Sequence, residues 1–221
     1  HWTPGETELV QYSPVDQWLR SALHTLVRDV TNALENYDVL GATRPIQTFV
    51  DQLSNWFLRR SRRRFWKSES DADKQAAYAT LYEALVTISK LLAPTMPFLA
   101  EELYQNLVRT MDDSAPLSVH LVNWPDFYPQ VIDEELNREM SLVMRLASLG
   151  HAARNKANRK VRQPLAECAF SVGSQDERKV VEKYADLLAD ELNVKKVRGM
   201  DTATEAVAFT VNPSPKRLGQ K

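Results

Sequence analysis

Apolar residues recur every three or four positions along most of this 221-residue chain, and prolines stand where the repeats begin or break off. The first repeat joins Trp18, Ala22, Leu26, Val30, Ala33 and Tyr37. Before it come Ser13, a capping residue, and Pro14 at the first helical position, with Asp16 in the first turn. This spacing places the apolar residues on one face of an α-helix. The chain is therefore predicted to be mainly α-helical.

A second helix is predicted from Asp38, its capping residue, to about Arg63. Its buried face would consist of Ile46, Phe49, Val50, Leu53, Trp56 and Phe57. Pro45 lies inside this pattern and predicts a kink or a late start, because proline lacks the N–H that a helix interior needs.

Two further helices and a break follow. The third is predicted at about 72–92 and ends before Pro94. Its buried stripe would be Ala77, Leu81, Leu85, Ile88 and Leu92. Thr95 is predicted to cap a fourth helix with Pro97 in its first turn. Four long helices joined by short links indicate a bundle.

The pattern changes in the last third of the chain. Residues Ser118–Trp124 alternate and predict an isolated strand, and Asp133 is predicted to cap a fifth helix at about 133–157. After it, one helix at 175–191 is predicted among three strands, Ala166–Val172, Val194–Arg198 and Ala206–Val211. The predicted domains are a helical bundle, residues 1–160, and a small α+β C-terminal appendage, residues 161–221. Whether the appendage is complete stays open.

Composition excludes several kinds of site. A single cysteine, Cys168, allows no internal disulfide or zinc-finger-type site, and the six glycines form no phosphate-binding loop. Glu101 and Glu102 point about 100° apart on a helix, and no serine lies in a nucleophile motif. No charge-free stretch reaches the roughly 20 residues of a membrane helix. We expect no catalytic residue, no metal, no cofactor, no membrane contact and a cytoplasmic location.

Positive charge is concentrated in two runs, although the formal net charge is −1. The first basic run lies in SNWFLRRSRRRFWK, residues 54–67, and contains Arg59, Arg60, Arg62, Arg63, Arg64 and Lys67. Trp56, Phe57, Phe65 and Trp66 are interleaved with it. Arginine binds phosphate through a planar fork, and unpaired bases stack on aromatic rings. The first run therefore indicates contact with a phosphate or a nucleic acid.

Plainer interpretations remain beside this one. A cationic helix end suits the negative pole of the helix dipole and can be a solvated face, and rings at helical spacing can all be core. The dipole accounts for one or two arginines, not for five. The second basic run is Arg154, Lys156, Arg159, Lys160 and Arg162. On composition alone, a solvated face is the better interpretation of this second run.

Three stretches together resemble one family. SNWFLRRSRRRFW (54–66) resembles the signature of the helical anticodon-binding domain of isoleucyl-tRNA synthetases. LAPTMPFLAEELY (92–104) resembles a segment shared by the valine, leucine, isoleucine and methionine synthetases, and KVRQPL (160–165) is similar to a later stretch of the isoleucine enzymes. The resemblance runs from about Ser13 to Val211, and the arginine string favours isoleucine over valine and leucine.

The resemblance implies the C-terminal anticodon-binding region of a class I synthetase, which attaches isoleucine to its tRNA with ATP. This chain lacks an H-x-G-H tetrapeptide and a K-M-S-K-S-like loop, so we expect it to be inactive alone. The expected partners are isoleucine tRNA and the remainder of the synthetase chain.

The predicted tRNA-binding residues rest on chemistry more than on the resemblance. Phosphates would be neutralised by Arg59, Arg60, Arg62, Arg63, Arg64 and Lys67. Trp56 and Trp66 would stack on splayed bases or pack beneath them. Asn55 and Gln163 are candidate readers of base edges, and Arg159, Lys160 and Arg162 are further candidates for contact.

Two alternatives stay open. A valine- or leucine-type synthetase would share the fold and bind a different tRNA. A non-enzymatic helical module would use the basic face to bind an acidic protein, with weak and unselective RNA binding.

Overall fold

The computed structural model describes residues 11–67 and 71–200. The chain divides into two compact units, His1–Asn137 and Arg138–Lys221. In the described part the fold is mainly α-helical and contains one two-stranded sheet. The predicted fold class, a helical bundle followed by a small α+β appendage, is confirmed.

Helix α1 (Pro14–Glu35) begins as predicted. Ser13 and Asp16 form a capping box, in which the Asp16 carboxylate accepts from the Ser13 N–H at 2.9 Å. Trp18, Leu26 and Val30 of the predicted stripe are buried. The placement of Tyr37 on that stripe is wrong. This residue lies beyond the helix end at a φ of 57° and is 93% exposed.

Helix α2 (Val39–Gln52) starts after Asp38, whose side chain accepts from the Gly41 N–H at 2.8 Å. It continues through Pro45, so the predicted late start is wrong. The departure from α geometry comes later, as a π-helical segment at Leu53–Leu58 that leads into α3 (Arg59–Lys67). The predicted face is buried except for Val50, which turns outward and is exposed.

Helix α4 (Asp71–Leu92) ends two residues before Pro94, as predicted. Helix α5 (Pro97–Tyr104) has no side-chain cap, so the predicted Thr95 cap is wrong. In the tight turn, the Thr95 hydroxyl donates to the Leu92 carbonyl at 3.4 Å and makes no hydrogen bond to the first turn of α5. After α5, a π-helical segment extends over Gln105–Arg109.

The strand predicted at Ser118–Trp124 is also wrong, since Val119–Leu121 forms a 3₁₀ turn. The Glu101 carboxylate of α5 accepts from the Ser118 hydroxyl at 2.8 Å and from the Val119 N–H at 3.0 Å. Val119 is thereby buried against Ala100 and Tyr104. The alternation that predicted a strand is produced by one inward valine beside hydrogen-bonded neighbours.

The first unit is built around α1, which packs against both α2 and α4, while α4 also packs against α3 and α5. Trp18, Leu19 and Phe57 are among the large side chains that are fully buried in it. Helix α6 (Glu134–Lys156) begins at the end of this unit, where Asp133 caps it as predicted by accepting from the Leu136 N–H at 2.9 Å.

The second unit contains the rest of α6 and a small α/β arrangement. Strands β1 (Cys168–Ser171) and β2 (Val197–Met200) pair in parallel, with Cys168 opposite Val197. Parallel strands need a crossover, which α7 (Gln175–Lys183) and α8 (Ala185–Leu192) supply. The single helix predicted at 175–191 is therefore two helices that meet at Tyr184. The strand predicted at Ala206–Val211 lies outside the described residues.

Helix α6 approaches α8 closely at Gly150. A Cβ added there would lie 2.6 Å from the side chain of Leu192, so any larger residue would require that side chain or the helices to shift. Leu192 and Leu188 of α8 are buried, as are Phe170 of β1 and Val181 of α7. These residues belong to the apolar core of the second unit.

Candidate nucleic-acid interface

The first basic run lies on α3, which continues the buried face of α2 through the π-helical segment. Leu53, Phe57 and Ser61 are buried at successive spacings of four. The next position on that face is Arg64, three residues beyond Ser61, so this arginine points inward while its neighbours point outward. Helical periodicity thus divides the arginines into two groups with different surroundings.

Arg64 is the inward arginine, and its guanidinium is engaged on every nitrogen. Its two Nη atoms donate to the two carboxylate oxygens of Asp16 at 2.8 and 2.7 Å, a bidentate pair. Its Nε donates to the Asp73 carboxylate at 2.8 Å, and Nη2 also donates to the Asp73 carbonyl. Burial lowers the pKa of Arg64, but the hydrogen bonds to Asp16 and Asp73 outweigh it and raise the pKa overall. Arg64 therefore joins α1, α3 and α4 and has no donor left for a phosphate.

The outward arginines form an open concavity of about 490 Å³ with an exposed tryptophan. It is lined by Arg59, Arg62, Arg63 and Trp66, with no carboxylate among these lining residues. Trp66 is 78% exposed, and Arg62 and Arg63 are exposed as well. The guanidinium groups can donate hydrogen bonds to phosphate oxygens, and a base can stack on the exposed face of the indole. We call this surface the arginine concavity.

Trp56 occupies a different place from Trp66. It is only 6% exposed, and the guanidinium groups of Arg59 and Arg60 lie 5.9 and 5.6 Å from the centre of its ring. Its ring is covered, so Trp56 packs beneath the arginines and does not offer a face to a base. Asn55 is exposed on the same segment. Lys67 ends α3, and its side chain lies outside the described residues.

The second basic run begins in the last turn of α6, with Arg154 and Lys156, and continues in the turn that follows. Its exposed members are Lys156, Arg159, Lys160 and Arg162, and Gln163 beside them is exposed as well. Arg154, by contrast, is only 5% exposed. Its Nη2 donates to the carbonyls of Lys160 at 2.7 Å, Val161 at 3.3 Å and Gln163. The turn is thus closed around Arg154, and its remaining cations project outward.

Other candidate groups carry no sign of chemistry. Within residues 11–67 and 71–200, no cluster of three histidine, cysteine or acidic side chains is arranged to hold a metal ion. The same residues include no helix with the length and apolar character needed to cross a membrane. The Glu101 carboxylate has a lowered pKa because the Ser118 hydroxyl, Gln105 and the Val119 N–H donate to it against a small cost of burial. It holds a turn in place.

Comparison with known proteins decides the family. Residues 16–169 match the family model described as the anticodon-binding domain of tRNA ligases. The chain belongs to this family. It is 53% identical to the isoleucine–tRNA ligase of Dehalococcoides mccartyi strain CBDB1 over 88% of its own length and 19% of that protein. The corresponding enzymes of Thermus thermophilus and Clostridium novyi are 44% and 43% identical, over 94% and 96% of this chain and 20% of each protein.

These figures confirm the resemblance to isoleucyl-tRNA synthetases. The chain spans about a fifth of the length of the curated relatives that it matches. The family match ends at residue 169, so it includes both basic runs and the start of β1.

Sequence reasoning missed the two inward arginines of this anticodon-binding domain. Arg64 was grouped with the phosphate-binding side chains, and Arg154 was grouped with a solvated run. A signal for both exists in the sequence, because each continues a buried stripe at helical spacing. For Arg154 the stripe is Val143, Ala147, Gly150 and Arg154 itself. A basic residue that falls in register with a buried apolar stripe should therefore be predicted to point inward, even when its neighbours in the sequence are exposed cations.

Proposed function

We propose that this chain holds the anticodon stem-loop of isoleucine tRNA, as part of a cytoplasmic enzyme that attaches isoleucine to that tRNA with ATP. The observation that carries the proposal is the arginine concavity, where three guanidinium groups surround an exposed indole. The family match and the isoleucine–tRNA ligase relatives support the same assignment. The chain itself is proposed to need no cofactor for this task.

The proposed roles follow from exposure. Arg59, Arg62 and Arg63 neutralise phosphates, with Arg60 and Lys67 beside them, and Trp66 stacks on a base. Arg64 and Trp56 are not assigned to the interface, because the guanidinium of Arg64 is bound to carboxylates and the ring of Trp56 is covered by other side chains. Phosphate contacts position an RNA, while contacts to base edges distinguish sequences. Asn55 and Gln163 keep that second role as proposals, and Arg159, Lys160 and Arg162 are proposed to add phosphate contacts.

In the whole enzyme, binding energy from the anticodon arm would help to orient the distant acceptor end for reaction. A valine- or leucine-type assignment is not favoured, because the relatives compared above are isoleucine–tRNA ligases. The acidic-protein module has no specific observation in its favour.

The test is a titration of this chain with isoleucine tRNA and with the same tRNA carrying an altered anticodon, over a series of salt concentrations. Each phosphate contact contributes about 0.7–0.9 to the slope of log affinity against log salt. The five cations proposed for the first run give a slope of about −3.5 to −4.5, and the three of the second run would steepen it by about 2 to 3 more. We also expect weaker binding of the altered tRNA. A flat salt response would contradict the proposal. Equal binding of both tRNAs would limit the chain to phosphate positioning.

A further inference from the structure

Helices α1 and α4 run in the same direction, which defines two ends of the first unit. Asp16 in the first turn of α1 and Asp73 near the start of α4 both bind Arg64. Further along both helices, Arg20 of α1 donates to Glu83 of α4 at 2.8 Å. Both helices have 22 residues, or about 33 Å of length. Their C-terminal ends therefore lie together, about that far from Arg64.

A second concavity lies at this far end of the first unit, with a volume of about 220 Å³. We call it the distal pocket. The end of α4 contributes Lys90 and Pro94, and the segment after the 3₁₀ turn contributes Asn123 and Trp124, with His120 from the turn itself. Trp124 is held in place because its Nε1 donates to the Thr31 hydroxyl of α1 at 2.8 Å. The pocket is thus lined by two separate parts of the chain, and α1 supports one of them.

Its polar side chains are not used by the fold. Within the described ranges, the Lys90 ammonium, the His120 ring and the Asn123 amide make no hydrogen bond or ion pair with the protein. An amide offers both donors and an acceptor to a base edge, and an ammonium group suits a phosphate. Glu101, whose charge lies near His120, is already satisfied by Ser118, Val119 and Gln105. The pocket therefore presents an ammonium group, an imidazole and an amide against an aromatic and aliphatic wall.

Two aromatic side chains at the same end are almost fully exposed. Phe98 follows Pro97 in the first turn of α5 and is 89% exposed, and Tyr37 follows α1 and is 93% exposed. Neither ring is covered by the fold, which leaves both faces open to a planar partner. Aromatic rings beside a small polar pocket are the arrangement with which proteins bind unpaired bases.

We propose that the distal pocket binds an unpaired nucleotide of RNA. The base contacts Asn123 and His120, its phosphate lies at Lys90, and Phe98 or Tyr37 stacks on a neighbouring base. This inference rests on the proposed function, since a stem-loop gripped at the arginine concavity has to extend along the helices to reach this end. A docking face for protein is less favoured, because the pocket is small and its unpaired groups are polar.

The first measurement compares variants by titration with isoleucine tRNA. Asn123 and Phe98 are exposed, so Asn123→Ala and Phe98→Ala should fold as the parent does. Loss of a stacked base costs about 5- to 100-fold in affinity. We expect such a loss for Phe98→Ala with an unchanged salt slope, and a slope shallower by about 0.7–0.9 for Lys90→Ala. Met111→Ala, which removes an apolar side chain that is also exposed, serves as the matched control.

The second measurement locates the nucleotide. A synthetic anticodon stem-loop carries the fluorescent base 2-aminopurine at one loop position at a time. One position should lose fluorescence on binding because it enters the distal pocket, and Asn123→Ala should restore it. Distal variants that bind like the parent while Arg62→Ala/Arg63→Ala loses affinity would overturn this inference and leave the proposed function intact. If Arg62→Ala/Arg63→Ala also binds normally, both proposals fail. Equal binding of a free mononucleotide and the stem-loop would overturn the RNA assignment.

Discussion

The two basic runs have similar composition but are held in different ways. On α3, one inward arginine, Arg64, meets two carboxylates, and the helix itself displays the others. At the end of α6, one inward arginine, Arg154, donates to the carbonyls of the turn that carries most of the exposed cations. The first run is therefore a set of charges on a regular helix. The second lies mostly in a turn that is held chiefly by hydrogen bonds from one buried side chain.

This difference separates two kinds of positive charge that counting cannot distinguish. Removing a buried guanidinium leaves the groups that it binds without a donor and destabilises the fold, while removing an exposed one costs the fold little. Substitutions within each run should therefore divide into those that change the stability of the fold and those that change RNA binding.

The largest expected effect is that of Arg64→Ala. It leaves the buried Asp16 carboxylate without its cation, with hydrogen bonds from the Ser13 N–H and hydroxyl only among the described residues, and loss of one member of a buried ion pair costs about 3–5 kcal/mol. The free energy of unfolding, from urea titration followed by circular dichroism, measures it. Arg63→Ala, one residue away and exposed, is the matched control and should change stability by less than about 0.5 kcal/mol. Similar losses for both variants would show that Arg64 has no special role.

The next effect is that of Arg154→Ala. A hydrogen bond from a charged donor contributes about 1.5–3 kcal/mol, but a single nitrogen, Nη2, makes all of the bonds to the turn at 157–163, and Nε and Nη1 are buried without a partner among the described residues. We expect a loss of about 2–3 kcal/mol, together with faster amide exchange in the turn, measured by hydrogen exchange and mass spectrometry. The turn should not open completely, because the Asn193 amide still donates to the Val161 carbonyl at 2.9 Å. Arg159→Ala provides the control, and an unchanged exchange rate in Arg154→Ala would refute the assignment.

The helices of this fold follow from local signals, and the sites follow only in part. Ser13 and Asp38 start helices where the capping rule predicts, and Pro94 stops one. Trp66 could be assigned to the interface from its place among arginines. Asp16 could be identified as a capping residue, but its second role as the partner of Arg64 depends on a contact 48 residues away. The distal pocket likewise combines segments that no local rule brings together.

A smaller effect compares the exposed charges of the two runs. Arg62→Ala/Arg63→Ala should make the salt slope of tRNA binding shallower by about 1.4–1.8, because two phosphate contacts are lost. Its unfolding free energy should stay within about 0.5 kcal/mol of the parent. Arg159→Ala/Arg162→Ala is the parallel variant of the second run. We expect a smaller change of slope there, since within residues 11–67 and 71–200 no exposed aromatic ring lies in the turn that carries these cations. Lys195→Ala/Lys196→Ala should leave the slope unchanged.

The smallest effect concerns Cys168, whose thiol senses the charge of Arg154. Burial raises the pKa of this thiol above its ordinary value, and the positive charge of Arg154 partly offsets the rise. Alkylation of this single cysteine by iodoacetamide should therefore be slower in the folded chain than in urea at the same pH. Because the folded state holds the proton more tightly, the contribution of this group to stability is fully present below the thiol's ordinary pKa and is lost as the pH rises from there through the raised pKa of the folded state. Arg154→Met, which removes the charge and keeps an apolar stem, should raise the thiol pKa further as long as the strand stays folded. A lower pKa in that variant would mean that the turn had opened to water, so the sign of the change separates the electrostatic role of Arg154 from its structural one.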